Sequence, residues 1–137
     1  MSDITFYVLP TASQHERYVF TCKLIEKAYR TGVFCYVLTD DNAQSQRIDD
    51  LLWTFRAGSF IPHQIYVGEA PAIPQVLIGT LPPPKDWQNT VLNLSSNCTT
   101  ANRVLEILDN SEATKATGRQ RYRQYKDAGH ELTTHKM

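Results

Sequence analysis

The chain has 137 residues, of which 42% are hydrophobic and 20% charged, and its 14 Lys and Arg balance 14 Asp and Glu. That length and composition specify one folded domain, residues 1–137, with a real core, and they exclude a disordered chain. Zero net charge argues against a general nucleic-acid coat protein, which needs many phosphate contacts, and no apolar run approaches the ~20 residues of a membrane span.

The charge is unevenly placed. Residues 1–110 carry 8 Lys and Arg against 11 Asp and Glu, whereas residues 111–137 carry 6 against 3. A neutral chain with a basic end points to a local acidic ligand rather than a long polyanion. The three cysteines, Cys22, Cys35 and Cys98, are odd in number and form no CxxC, and no basic n-region precedes the first apolar run. The expectation is a cytoplasmic protein with reduced, mostly buried thiols.

In chain order, the β-branched and aromatic run at residues 4–9 (ITFYVL) predicts a buried first strand closed by Pro10. A helix over residues 14–31 follows, with Tyr18, Cys22, Ile25 and Tyr29 on one stripe. Ser13 is its expected N-cap, Glu16 completes a capping box, and Gly32 ends it. Residues 34–38 (FCYVL) form the second strand. Asp40 or Asp41 then caps a helix bearing Ile48, Leu51 and Leu52 on one face.

Strand–helix–strand–helix in units of about thirty residues implies parallel strands with right-handed crossovers. Further strands are expected at residues 64–67, 76–79 and 91–94, with the stiff Pro82-Pro83-Pro84 loop between the last two. Cap residues at 97–100 predict a helix through Val104, Ile107 and Leu108. A last helix is expected from Ser111 to Asp127, stopped at Gly129, and the final eight residues are expected to fray. The fold class is therefore α/β: a Rossmann-like three-layer domain on a mostly parallel sheet.

Such a sheet raises the question of a nucleotide. The turn after the first strand, Pro10-Thr11-Ala12-Ser13, has no glycine and no lysine, and the chain contains no GxGxxG or GKS/T. A nucleotide-binding loop is thus not expected. His15, His63, His130 and His135 are scattered without metal-ligand spacing, and no GxSxG elbow occurs. Neither a cofactor nor a metal is expected. Asp40 and Asp41 at a strand end, with His63, are the residues an α/β hydrolase or nucleotide-using enzyme would use. Helix capping accounts for both aspartates without catalysis.

Two stretches carry the binding chemistry. The first is LLWTFRAGSFIPH at residues 51–63, where Trp53, Phe60, Ile61 and Pro62 crowd a segment whose Ala57-Gly58-Ser59 turn reads as a loop. Either the aromatics fold back onto the core or they form an exposed docking patch. The second is KATGRQRYRQYK at residues 115–126. At 100° per residue, Lys115, Arg119, Tyr122, Arg123 and Lys126 share a face, with Arg121 pointing elsewhere and Tyr125 on the flank. Three readings stay open: a solvated surface helix, a pocket for an acidic peptide walled by Tyr122 and Leu108, or direct single-strand nucleic-acid contact with Tyr122 stacking.

Together these stretches resemble the chi subunit family of bacterial DNA polymerase III, accessory proteins of the clamp loader. The resemblance lies in the FYVL first strand, Asp49-x-x-Leu52-Trp53, the Ser59-Phe60-Ile61-Pro62-His63 loop and Arg119-x-Arg121-Tyr122-Arg123-x-Tyr125-Lys126-x-x-Gly129. It implies a non-catalytic adaptor with a nucleotide-free Rossmann-like sheet. One implied surface, at Trp53, Phe60, Ile61, Pro62 and His63, docks the psi subunit or a helicase-like protein. The other, at Leu108, Lys115, Arg119, Tyr122 and Arg123, takes the acidic C-terminal tail of single-stranded-DNA-binding protein. DNA would then be reached only indirectly, through single-stranded-DNA-binding protein, and a heterodimer with psi is implied.

Overall fold

A computed structural model describes residues 2–58 and 60–137; Met1 and Ser59, the last residue of the expected turn, lie outside the described residues. Strand β1 (Asp3–Val8) leads into helix α1 (Gln14–Arg30). Ser13 Oγ accepts the Glu16 amide at 3.2 Å, the predicted N-cap. The box closes differently, since the Glu16 carboxylate accepts the Thr11 hydroxyl rather than the Ser13 amide. Gly32, at φ 85, turns the chain out of the helix. After β2 (Tyr36–Leu38), Asp41 caps α2 (Asn42–Thr54), its carboxylate accepting the Gln44 amide at 2.8 Å.

Strands β3 (His63–Ile65), β4 (Val76–Gly79) and β5 (Thr90–Asn93) follow, a 3-10 turn at Lys85–Trp87 preceding the last of them. The chain then departs from expectation. Residues Arg103–Leu108 form strand β6, not a helix. Val104, Ile107 and Leu108 mimic a helical stripe only because a strand covered on both faces is apolar at nearly every position. Val104 and Leu108 pack toward one side of the sheet, Leu105 and Ile107 toward the other.

The end of the chain is the second correction. After α3 (Glu112–Asp127), residues Glu131–Lys136 do not fray but form β7, in parallel register with β1 from Asp3↔Glu131 to Val8↔Lys136. Without β7, the outer backbone groups of β1 would have no ladder partner. Leu132 adds an apolar anchor against the Ile4 and Phe6 cluster.

All seven strands run parallel in the order β3-β4-β2-β5-β6-β1-β7. Helices α1 and α2 cover one face, Ile25, Ile48 and Leu52 meeting Val37, Ile78, Leu92 and Ile107. On the other face Tyr125 of α3 packs on Ile4, Phe6, Val104 and Leu108, while Trp87 covers Tyr36, Leu77 and Val91. This is the three-layer Rossmann-like architecture. Cys22 and Cys35 are fully buried and unpaired, and burial pushes both thiols up to about 12, so neither is a thiolate at neutral pH.

Candidate functional site

The strand order puts the two candidate stretches at opposite edges of the sheet. Seven strands at ~4.8 Å spacing separate the β3 edge from the β7 edge by roughly 29 Å. The two stretches therefore form separate surfaces.

At the β3 edge, Trp53 leaves the last turn of α2 and Phe60 stands on the loop ahead of β3. Their side chains do not fold onto the core: Trp53 is 55% and Phe60 67% exposed. The rings tilt against each other at 5.7 Å between centroids, and the His63 ring lies 4.8 Å from Trp53. His63 is almost wholly covered. Its Nδ1 bonds the Ile61 carbonyl at 2.7 Å, so that nitrogen carries the proton, and its Nε2 sits 3.3 Å from an Asp49 carboxylate oxygen, off the line of a straight hydrogen bond.

Asp49 and His63 thus brace the loop against α2 from beneath the aromatic pair. Arg56 adds a tie to Glu26 of α1 at 3.1 Å. Ile61 was expected among the docking residues. It is instead 2% exposed, inside the core cluster with Ile48 and Leu52, because it is the apolar residue that pins the loop down. Pro62 is half-buried.

At the opposite edge lies a groove of about 460 Å³ between α3 and the carboxyl ends of β6, β1 and β7. Parallel α/β sheets bind ligands at that end of the strands. The groove brings together four of the five expected residues, Leu108, Lys115, Arg119 and Tyr122; the exposed Arg123 does not line it. Phe6 and Val8 of β1 give it an apolar floor, and the Tyr122 ring rests on Phe6 at 5.4 Å. Gly118 lets the helix come this close, since a Cβ there would stand 2.6 Å from Leu108 Cδ1. Its place in mid-helix is explained by that approach rather than by a kink.

Sequence reasoning missed Phe6, Thr134, Lys136 and Met137 as groove lining. Thr134, Lys136 and Met137 depend on β7 seating beside β1, which no local pattern announces. Among the described residues, Lys115 pairs with Glu112 at 3.3 Å, while no carboxylate lies within ion-pair distance of Arg119 or Lys136. The groove thus presents cations from two elements over an apolar floor, a combination suited to a carboxylate on an apolar residue.

Arg121, next in sequence to Tyr122, points into the protein. It is 2% exposed, and its Nε meets Glu106 Oε1 at 3.1 Å on β6. Glu106 Oε2 accepts the Tyr125 hydroxyl at 2.7 Å and the Asn93 amide at 2.8 Å. Burial pushes the Glu106 carboxyl above its usual range, against the pull of Arg121, Tyr125 and Asn93. Tyr125 is raised as well, by burial and then by Glu106. The lone charge in the apolar run VLEIL signalled a buried partner. On the other face, Arg17 of α1 donates to the carbonyls of Ile107 at 2.7 Å and Leu94 at 3.4 Å, tying α1 to the ends of β6 and β5.

The enzyme-like trio does not assemble. His63 opens β3, level with the residue before β2, whereas Asp40 follows β2 at the carboxyl end, about 16 Å farther along the strands. Asp40 is engaged with the Ser96 amide and hydroxyl, at 2.8 and 2.9 Å, and Asp41 with its helix cap. Among the described residues no group of three or more His, Cys, Asp or Glu side chains is placed to hold a metal, and no helix is long and apolar enough to cross a membrane.

Comparison with known proteins finds a family that matches nearly the whole chain. Residues 1–133 match the family described as DNA polymerase III chi subunit, HolC. The DNA polymerase III subunit chi of Pseudomonas aeruginosa is 32% identical, covering 100% of this chain and 98% of its own length. That of Escherichia coli is 26% identical, covering 98% and 97%.

Proposed function

Because the chain belongs to the chi subunit family of DNA polymerase III, we propose that it is a two-ended adaptor, joining the clamp-loader side of the polymerase to single-stranded-DNA-binding protein. Its place is in DNA replication, as an accessory subunit rather than a catalyst. The groove at the β7 edge takes the acidic C-terminal tail of single-stranded-DNA-binding protein, in the cytoplasm. Leu108, Phe6 and Val8 receive the last apolar side chain, while Lys115, Arg119 and Tyr122 meet the carboxylates around it. Arg123 contributes to the long-range field beside the groove. The Trp53 and Phe60 pair at the β3 edge docks psi, or a helicase-like protein at the same surface, giving a heterodimer.

The observation that supports this most is the pairing of exposed aromatics and a cationic, apolar-floored groove on opposite edges of one sheet, an arrangement that leaves each surface open to its own partner. The experiment is fluorescence anisotropy with a labelled peptide of the acidic tail and the same peptide lacking its last residue. Tight binding of the intact peptide, weakened by salt and lost on truncation, is expected. Equal affinity for the two peptides sinks the groove assignment. Tight binding to an oligonucleotide without the tail would favour direct single-strand contact instead.

A further inference from the structure

The groove has two walls of different character. One is α3, held to the sheet by the buried Glu106–Arg121 pair and by Tyr125. The other is β7, which pairs with β1 alone and is exposed along nearly its whole length, Leu132 being the residue that packs inward. In the register Thr134↔Phe6 and Lys136↔Val8, residues 134 and 136 stand on the face that carries the groove floor. The intervening His135 faces the other way and stacks on Tyr7 at 5.4 Å. Lys136 therefore faces the groove from the wall opposite Lys115 and Arg119.

An edge strand with one neighbour and one apolar anchor belongs to the low-stability end of a fold. A ligand that bridges both walls must stabilise the weaker one, because whatever binds only the assembled groove favours assembly by mass action. We propose that β7 is a ligand-responsive wall of the groove, that Lys136 is the cation it supplies to a bound peptide carboxylate, and that occupancy locks the strand onto β1. The inference rests on the reading of the groove as a peptide site, and it adds a residue and a coupling which that reading does not contain.

Two measurements on the full chain test it, with the labelled acidic-tail peptide as probe. In hydrogen exchange, saturating peptide should slow the β7 amides that donate into β1, and that of Met137 just beyond the strand, which donates to the Val8 carbonyl at 2.9 Å. Exchange in the distant β3 should be unchanged. In anisotropy, Lys136→Gln should weaken the peptide about threefold to tenfold, the span for a charge contact between exposed and partly buried settings, and Lys136→Arg should restore most of the affinity. If the peptide binds but Lys136→Gln binds it equally well, or β7 exchange does not respond, the inference is wrong while the groove assignment stands. Should the unmodified chain not bind the peptide at all, both fall together.

Discussion

Arg121 Nε and Glu106 Oε1 stand 3.1 Å apart with both side chains sealed from solvent, and through this pair the basic helix is fastened to the strand beneath it. Removing one member of a buried pair strands the other charge, at a cost of about 3–5 kcal/mol. Arg121→Met keeps most of the side-chain volume and should lower unfolding free energy by that amount in urea titration. The double variant Arg121→Met with Glu106→Gln should recover most of the loss, since no uncompensated charge remains. A single-variant cost below about 1 kcal/mol would show that the pair does not hold α3 down.

The same carboxyl makes a pH prediction. Glu106 is raised from its ordinary 4.5, chiefly by desolvation. A group whose folded value is raised binds more protons folded than unfolded above pH 4.5, so its contribution is full below that value and is lost as pH rises through the folded value. Compared with Glu106→Gln, the wild-type chain should therefore be relatively most stable near pH 4.5 and lose ground upward. Urea midpoints of both proteins between pH 4.5 and 8 measure the difference; a wild-type chain that gains on Glu106→Gln as pH rises contradicts the assignment.

Neighbouring residues of the Trp53 loop should respond in opposite ways. Ile61→Ala removes core packing and should cost about 2–5 kcal/mol of stability. Phe60→Ala, one residue earlier, removes an exposed ring with one aromatic neighbour and should cost about 1 kcal/mol or less. Partner capture should show the reverse, with Phe60→Ala losing the clamp-loader partner at unchanged fold by circular dichroism. Equal destabilisation by the two would mean that Phe60 is a core residue in solution.

The sequence carried these features unequally. Ser13 and Gly32 were legible, and Asp41 as one of two candidates, because capping is local chemistry, written within three or four residues. A mostly parallel sheet followed from alternation of strands and helices at the start of the chain; that β3 to β6, with no α-helix between them, are parallel too did not. Strand β6 was misread because apolar residues on both faces carry no period, and β7 because edge pairing depends on an open neighbour far away in the chain. The groove was found from its helix, where Lys115, Arg119 and Tyr122 recur at helical spacing, and its floor was not, because Phe6 and Val8 lie more than a hundred residues away. Spacing set Arg121 off the basic face but did not say where it goes; Glu106, hidden in β6, decides its direction.

Gly118 offers a test of the groove that is nearly independent of charge. Alanine there should gain about 1 kcal/mol of helix propensity. Its Cβ would also stand 2.6 Å from Leu108 Cδ1, which must move. Leu108 borders the groove, so it has room to swing into it, and the net stability change should stay within about 1 kcal/mol. The displaced leucine then fills space that the apolar end of the proposed peptide would take. Gly118→Ala should weaken tail binding while leaving urea stability near wild type, and unchanged binding would show that the apolar floor is not used.

The last prediction concerns independence of the two edges. Mutations more than about 10 Å apart with no shared partner add, and roughly 19 Å of sheet lies between β3 and β6, the nearest strand of the groove. Arg119→Ala should cost about 1.5–3 kcal/mol of tail binding, the range for a hydrogen bond to a charged group, and leave the Trp53 surface untouched. Trp53→Ala should remove the clamp-loader partner and leave tail affinity unchanged. The double variant should show both losses without interaction, by anisotropy for the tail and calorimetry for the other partner. If Trp53→Ala shifts tail affinity at intact circular dichroism, the sheet is transmitting a signal between its edges. The chain would then be a coupled switch rather than a passive bridge.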